Sequence, residues 1–199
     1  MRKKNNQNQV TGCGHVRIIA GEWRGRKIAV PNSDGLRPTT DRIRETVFNW
    51  LMPYLSGAVC LDACAGTGIL GFECLSRGAE KVDFVERDRI VSNILSSNLM
   101  TLSDNNSANG VIHNASIEQF VEALHDKQPT YDIVFIDPPF SLRLQETVCQ
   151  QLFEKGCLSE SALVYVESEL KHDFVLPDSW EVFREKRSSN VKYQLLRCE

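Results

Sequence analysis

The sequence predicts an α/β protein built on a mostly parallel, doubly wound sheet, and three observations carry that prediction. Short apolar runs alternate with segments of helical periodicity from about residue 58 to residue 166, the pattern of successive βαβ units. One junction is rich in glycine: Ala58-Val59-Cys60-Leu61 leads through Asp62-Ala63-Cys64-Ala65-Gly66-Thr67-Gly68 into a helix. Tyr131 to Ile136 is nearly continuous apolar sequence, as a central strand covered on both faces requires.

In chain order, residues 1–15 lack hydrophobic periodicity and read as a mobile basic tail. Residues 16–57 form an extension ahead of the main domain. Val16 to Ala20 and Lys27 to Val30 are strand candidates around Gly21-Glu22-Trp23-Arg24-Gly25-Arg26, a small hairpin whose tip carries two arginines and a tryptophan. Trp23 can stack on a base or pack the hairpin against the body, and packing is the commoner fate of a lone Trp. Thr40 and Asp41 supply helix-start chemistry, and Ile43, Val47, Trp50, Leu51 and Tyr54 follow at helical spacing up to Pro53 and Gly57. Arg42 and Arg44 fall off that stripe and are expected to meet solvent, acids or phosphate.

Residues 58–199 are expected to be the main domain. After the glycine turn a helix runs from Ile69 to Arg77 and Gly78 closes it. Lys81 to Glu86 is a strand that ends on an acid, and Asp88 caps a helix with Val91, Ile94, Leu95, Leu99 and Leu102 on its apolar face. Gly110 to His113 is a short strand, and Ser116 with Gln119 forms a capping box for the helix after it. Tyr131 to Ile136 ends in Asp137-Pro138-Pro139-Phe140; a helix from Leu144 to Lys155 and a strand from Ala162 to Val166 complete the alternation. Trp180 to Lys186 and Val191 to Arg197 read as an antiparallel hairpin.

Charge is unevenly distributed. Residues 1–50 carry a net charge of +6 and the remaining 149 carry −9, within a total of −3. A basic leading segment on an acidic body fits a face that meets a polyanion, although a solvated basic surface has the same composition. Seven cysteines at irregular spacings fit a reducing compartment, hence the cytoplasm, and none pairs with histidine at zinc spacing, so no metal is expected. No apolar run is long enough to cross a membrane.

In an open α/β sheet, ligands bind at the carboxyl ends of the strands. Gly66, Gly68 and Gly71 satisfy G-x-G-x-x-G, and Glu86 stands twenty residues after Gly66. This spacing suits the ribose hydroxyls of a nucleoside. Asn114 can pair with the edge of its base. These residues alone leave a nicotinamide-dependent oxidoreductase open. Asp137-Pro138-Pro139-Phe140 points elsewhere: a carboxylate and a rigid run of carbonyls can hold an exocyclic amine, and Phe140 can stack on its base. Methyl transfer to such an amine yields a cation that sheds its proton readily, so no dedicated base is needed.

Asp62-x-x-x-Gly66-x-Gly68, Glu86 and Asp137-Pro138-Pro139-Phe140 resemble the motif set of class I S-adenosylmethionine-dependent amino-methyltransferases. Arg17 to Lys27, Gly35 to Leu51 and Ala162 to Glu169 are similar to the RsmD family, which methylates the N2 amine of one guanine in bacterial small-subunit ribosomal RNA. The resemblance implies a Rossmann-like methyltransferase fold with S-adenosyl-L-methionine as cofactor. Asp62, Ala63, Gly66, Thr67 and Gly68 would hold its methionine end, Glu86 its ribose, and Asn114 and Ala115 its adenine. Asp137, Pro138 and Phe140 would orient the amine and stack on the base. It also gives the basic extension a role in docking 16S rRNA, with Arg24, Arg26, Arg37 and Arg42 as phosphate contacts and ribosomal proteins near the target hairpin as further partners. A monomer is expected. Two readings stay open beside it, an N6-adenine DNA methyltransferase and a non-catalytic RNA-binding assembly factor.

Overall fold

The computed structural model describes residues 14–30, 40–103, 109–124 and 130–198. The strands are β1 (Gly14–Arg17), β2 (Lys27–Val30), β3 (Val59–Asp62), β4 (Lys81–Val85), β5 (Gly110–His113), β6 (Tyr131–Ile136), β7 (Leu158–Glu169), β8 (Trp180–Ser188) and β9 (Val191–Cys198). The helices are α1 (Asp41–Leu51), α2 (Ile69–Ser76), α3 (Arg89–Leu102), α4 (Ile117–Ala123) and α5 (Gln145–Lys155). Seven strands make one sheet in the order β5-β4-β3-β6-β7-β9-β8, and β1 pairs with β2 as a separate antiparallel ribbon.

The first five strands of that order run parallel, and β9 is antiparallel to both β7 and β8. The chain steps outward from β3 to β4 and β5, then returns to β6 on the other side of β3. Neighbouring strand ends therefore send their loops apart between β3 and β6, which opens a crevice there.

Two apolar clusters cover the two faces. On one, Val47, Phe48 and Leu51 of α1 pack with Phe72 of α2, Leu95 of α3 and the sheet residues Phe84, Phe135 and Tyr165. On the other, Phe120 of α4 and Val148 and Leu152 of α5 cover Leu61, Val134 and Val164. Residues from both sides of position 57 share the first cluster, so the N-terminal elements sit directly on the sheet.

Local chemistry sets most element ends as the sequence predicts. Asp88 accepts from the backbone N–H of Ile90 and Val91, Ser116 and Gln119 complete their capping box, and Gly156 stops α5 at a φ of 62°. The third glycine of the turn has a packing role. A Cβ at Gly71 would lie 2.2 Å from the Phe84 ring, so α2 can lie close on β4 only without one.

Several expectations need correction. β1 ends at Arg17 rather than Ala20, because the backbone beyond it turns to α2: Ile19 N donates to Glu73 at 2.6 Å and the Ala20 carbonyl accepts from Ser76 Oγ at 2.6 Å. The tip therefore docks on the body. Trp23 is buried in the core, its N–H on Ser76 Oγ at 2.9 Å, so the packing reading holds. Arg44 is fully buried rather than free; it donates to Glu73 at 2.9 Å, to Asp41 at 2.7 Å and to the Arg17 carbonyl at 3.0 Å. Tyr54 leaves the apolar stripe because the chain tightens into a 3₁₀ turn over Met52–Tyr54, with Pro53 in it, and stands 42% exposed. β7 starts four residues early, its register shifting between the Tyr131–Leu158 and Ile133–Leu163 pairs, where the polar Ser159-Glu160-Ser161 had hidden the strand. Arg37 and the tail through Cys13 lie outside the described residues.

Candidate active site

A cavity of about 600 Å³ opens at the carboxyl ends of the parallel strands. Its size is that of a small-molecule site. Asp62, Ala63, Gly66, Thr67, Glu86, Ala115, Asp137, Pro138 and Phe140 all line it, so residues predicted from four distant stretches converge on one space.

The glycine loop forms its floor. Gly66 and Gly68 adopt φ values of 50° and 76°, and a Cβ at Gly68 would meet Leu95 at 2.2 Å. No L side chain fits at Gly68, which packs against Leu95 and Phe72 and, unlike Gly66, does not line the cavity. Asp62 is buried at the end of β3, where Oδ2 accepts the N–H of Gly71 at 3.0 Å, within the first turn of α2. Burial pushes its carboxyl up to about 7, the Gly71 hydrogen bond working against that rise and the nearby Glu86 charge adding to it. Glu86 is fixed by two backbone donors, Gly66 N at 2.9 Å and Asp88 N at 2.7 Å.

Asn114 does not line the cavity. Its side-chain amide donates to the carbonyls of Glu86 at 2.9 Å and Arg87 at 3.1 Å, which ties the end of β4 to the chain leaving β5. Ala115, Ser116 and Ile117 make the wall at that end instead. Nothing in the residue type of Asn114 separates a wall residue from a tie.

At the opposite end Asp137 to Phe140 close the cavity. The loop is held by its own short turn, Leu142 N donating to the Pro139 carbonyl at 2.9 Å and Arg143 N to that of Phe140 at 3.3 Å. Three further groups line the cavity: Thr40 at the N-cap of α1 with Ile43 inside it, Glu167 of β7, and Ser188-Ser189-Asn190 where β8 turns into β9. The sequence signals for these were weak, since Glu167 and the turn come from strands whose part in the site depends on β9 lying between β7 and β8.

The cavity suits a bound S-adenosylmethionine. A carboxylate on a strand end beside a glycine loop fits a ribose. A buried acid at the first turn of α2 fits the cationic methionine end, and the apolar Ala115 and Ile117 fit the face of an adenine ring. Among the described residues no group of acids, histidines and cysteines is arranged to hold a metal.

Fold and cavity together define a class I methyltransferase domain. Residues 16–197 match the family model described as Conserved hypothetical protein 95. The chain belongs to that family, the RsmD family. It is 48% identical over 182 residues to Ribosomal RNA small subunit methyltransferase D of Haemophilus influenzae, covering 92% of this chain and 93% of that one. It is 45% identical to the protein of the same name from Escherichia coli strain K12, over 100% of this chain and 96% of that one. The solved structure of yhhF from Escherichia coli superposes with a TM-score of 0.84 at 43% identity, covering 94% of this chain and 99% of the other.

Proposed function

We propose that this protein transfers a methyl group from S-adenosyl-L-methionine to the exocyclic N2 amine of one guanine in 16S ribosomal RNA of the small subunit. The observation that carries the reading is the convergence of Asp137-Pro138-Pro139-Phe140 with the loop from Asp62 to Thr67 and Glu86 on one cavity. The names of the two relatives support ribosomal RNA as the substrate class.

The bound cofactor supplies a methyl group on a positively charged sulfur, an electrophile that needs no further activation. The protein's task is to place a poor nucleophile against it. The lone pair of an exocyclic amine is conjugated with its ring. If the Asp137 carboxylate and the Pro138 carbonyl each accept one N–H, the nitrogen is held and its lone pair is turned toward the methyl. The carboxylate also stabilises the positive charge that grows on nitrogen, and Phe140 fixes the plane of the base. Two prolines make the loop rigid, so the geometry is set before the base arrives. A base in a helix cannot reach such a cavity, so the target guanine is unpaired or flipped.

The test is a comparison of wild type with Asp137→Ala on small subunits that lack the modification, with methylated guanines mapped by mass spectrometry. The wild type should methylate one guanine at N2. The variant should lose at least 100-fold in rate, on the order of one or two lost catalytic interactions, and still bind S-adenosylhomocysteine. Methyl transfer to adenine in DNA and not to small subunits would overturn the reading. So would full cellular function of the Asp137→Ala protein, which is what an assembly factor predicts.

A further inference from the structure

The motif Asp137-Pro138-Pro139-Phe140 holds an amine and is indifferent to the base that carries it, since adenine N6 and guanine N2 present the same two hydrogens. A second residue must choose between them. We propose that Glu167 makes that choice by accepting the N1–H of the target guanine; the inference rests on the guanine reading above.

Register places Glu167 for this task. Ile136 and Val166 are partners in the parallel β6–β7 pair, so the residues that follow them stand side by side, Asp137 just past the end of β6 and Glu167 within β7. Neighbouring strands lie about 4.8 Å apart. With a period of two, both residues share the face of Phe135 and Tyr165, whose rings meet at 5.9 Å and lie in the cluster that includes α1. Both line the cavity, as do Phe140, Ile43 of α1 and its N-cap Thr40.

Glu167 is 4% exposed, and its carboxylate is aimed by a buried donor: Tyr165 Oη donates to Oε1 at 2.6 Å. Burial together with the charges of Glu167 and Asp137 holds the Tyr165 hydroxyl in its protonated form, so it stays a donor. Its backbone is pinned as well, the Glu167 carbonyl accepting from Gln145 Nε2 at 2.9 Å. A carboxyl group in a methyltransferase cavity, aimed by a tyrosine on a backbone held by a glutamine, is more than packing needs.

The chemistry of the bases does the rest. On its Watson–Crick edge guanine offers N1–H and N2–H side by side, two donors for two neighbouring carboxylates. Adenine offers its amine beside a bare N1, whose lone pair would face the Glu167 carboxylate. A buried acceptor left without its hydrogen carries the full desolvation cost, which is why a site built to bond an N–H rejects an analogue lacking it.

The test keeps the N2 amine and removes N1–H together with the 6-oxo group, so the part owed to Glu167 is read from how the preference changes in its variants. Small subunits are reconstituted with 16S rRNA bearing guanine or 2-aminopurine at the position that the wild-type protein methylates, and kcat/KM is measured for each. The wild type should favour guanine by about 10- to 100-fold, the effect of one charge-assisted hydrogen bond. Glu167→Gln, whose amide can either accept from N1–H or donate to a bare N1, should narrow that preference to about threefold or less. Calorimetric binding of S-adenosylhomocysteine should be unchanged. If Glu167→Gln fails to fold, Glu167→Asp, which withdraws the carboxylate by one methylene, should narrow the same ratio. An equal preference in wild type and variant, or no preference in the wild type, overturns the inference and leaves guanine methylation standing. A wild type that methylates no small-subunit guanine overturns the proposed function and this inference with it.

Discussion

Asp62 shows how one side chain can tie the pH response of the fold to that of the cofactor. Its carboxyl is pushed up to about 7 from an ordinary 3.8, chiefly by burial. The folded chain therefore holds a proton there that the unfolded chain has released. Stability from the neutral form is complete below about pH 4 and is lost as the pH rises through about 7. Binding of a cationic methionine end runs the other way, because it favours the carboxylate. Affinity for S-adenosylmethionine should climb by several-fold from about pH 6 to about pH 8 while the melting temperature of the free protein falls. Asp62→Asn should flatten both profiles in calorimetry and thermal melts; a wild-type affinity that stays level across that range would show that Asp62 does not face the cation. At this scale the sequence was legible in placement where neighbours in the chain set it: Gly66 and Asp137 both line the cavity. It was silent where the partner is remote. Arg44 was open to solvent, acids or phosphate, and its burial on an acid was not legible because Glu73 lies 29 residues away on a helix whose docking the periodicity of α1 does not report.

The β1–β2 ribbon docks on the body, as the packing reading of Trp23 expects, but through contacts that the sequence does not report. Its strands were visible from Val16 and Lys27 onward, but a hairpin tip rich in Arg and Gly looks the same whether it projects or docks. The structure docks it through the end of α2: Glu22 N donates to the Ser76 carbonyl at 2.7 Å, and Trp23 N to Ser76 Oγ. On its far side Asn98 of α3 bonds both the N–H and the carbonyl of Ala29, and Arg26 donates to the Leu102 carbonyl at 2.9 Å and to that of Thr101. Gly21 is the tightest point. Its φ is 82°, and a Cβ would sit 1.8 Å from the Ser76 carbonyl oxygen. Backbone cannot give way cheaply, so Gly21→Ala should lift the ribbon from α2 without touching the cavity. Limited proteolysis should then cut between Trp23 and Arg26 at least tenfold faster than in the wild type, a scale set by the loss of local protection. S-adenosylhomocysteine binding should persist; unchanged cleavage would mean that the ribbon is held by α3 alone. The C-terminal strands failed to reveal their role for a similar reason. Their alternation identified β8 and β9, but only the insertion of β9 beside β7 carries Ser188 to Asn190 to the cavity.

For the molecule as a whole, the charge split becomes a matter of which face the acceptor end opens toward. Thr40, the N-cap of α1, and Ile43 of α1 line the same cavity as Asp137, so the basic extension supplies part of its wall. The extension's cations have separate roles there. Arg44 is spent on Glu73 and Arg26 on the end of α3, whereas Arg24 and Arg42 are exposed. Arg24 also borders a shallow groove with Asp41 and Glu45 at the start of α1, which brings hairpin and helix onto one surface. If this surface docks the RNA backbone, each exposed arginine that meets a phosphate adds about 0.7 to 0.9 to the slope of log affinity against log salt. Arg24→Gln and Arg42→Gln should each lower the slope for 16S rRNA by about that amount, and the double variant by about twice as much, with cofactor affinity untouched. Arg26→Gln serves as the contrast: it removes a ligand of the α3 carbonyls, so it should lower the melting temperature by a few degrees and leave the slope as it was. A slope that is the same in the double variant as in the wild type would assign the positive charge of this segment to solvent. A slope that falls in Arg26→Gln alone would place the phosphate path along α3 instead of across α1.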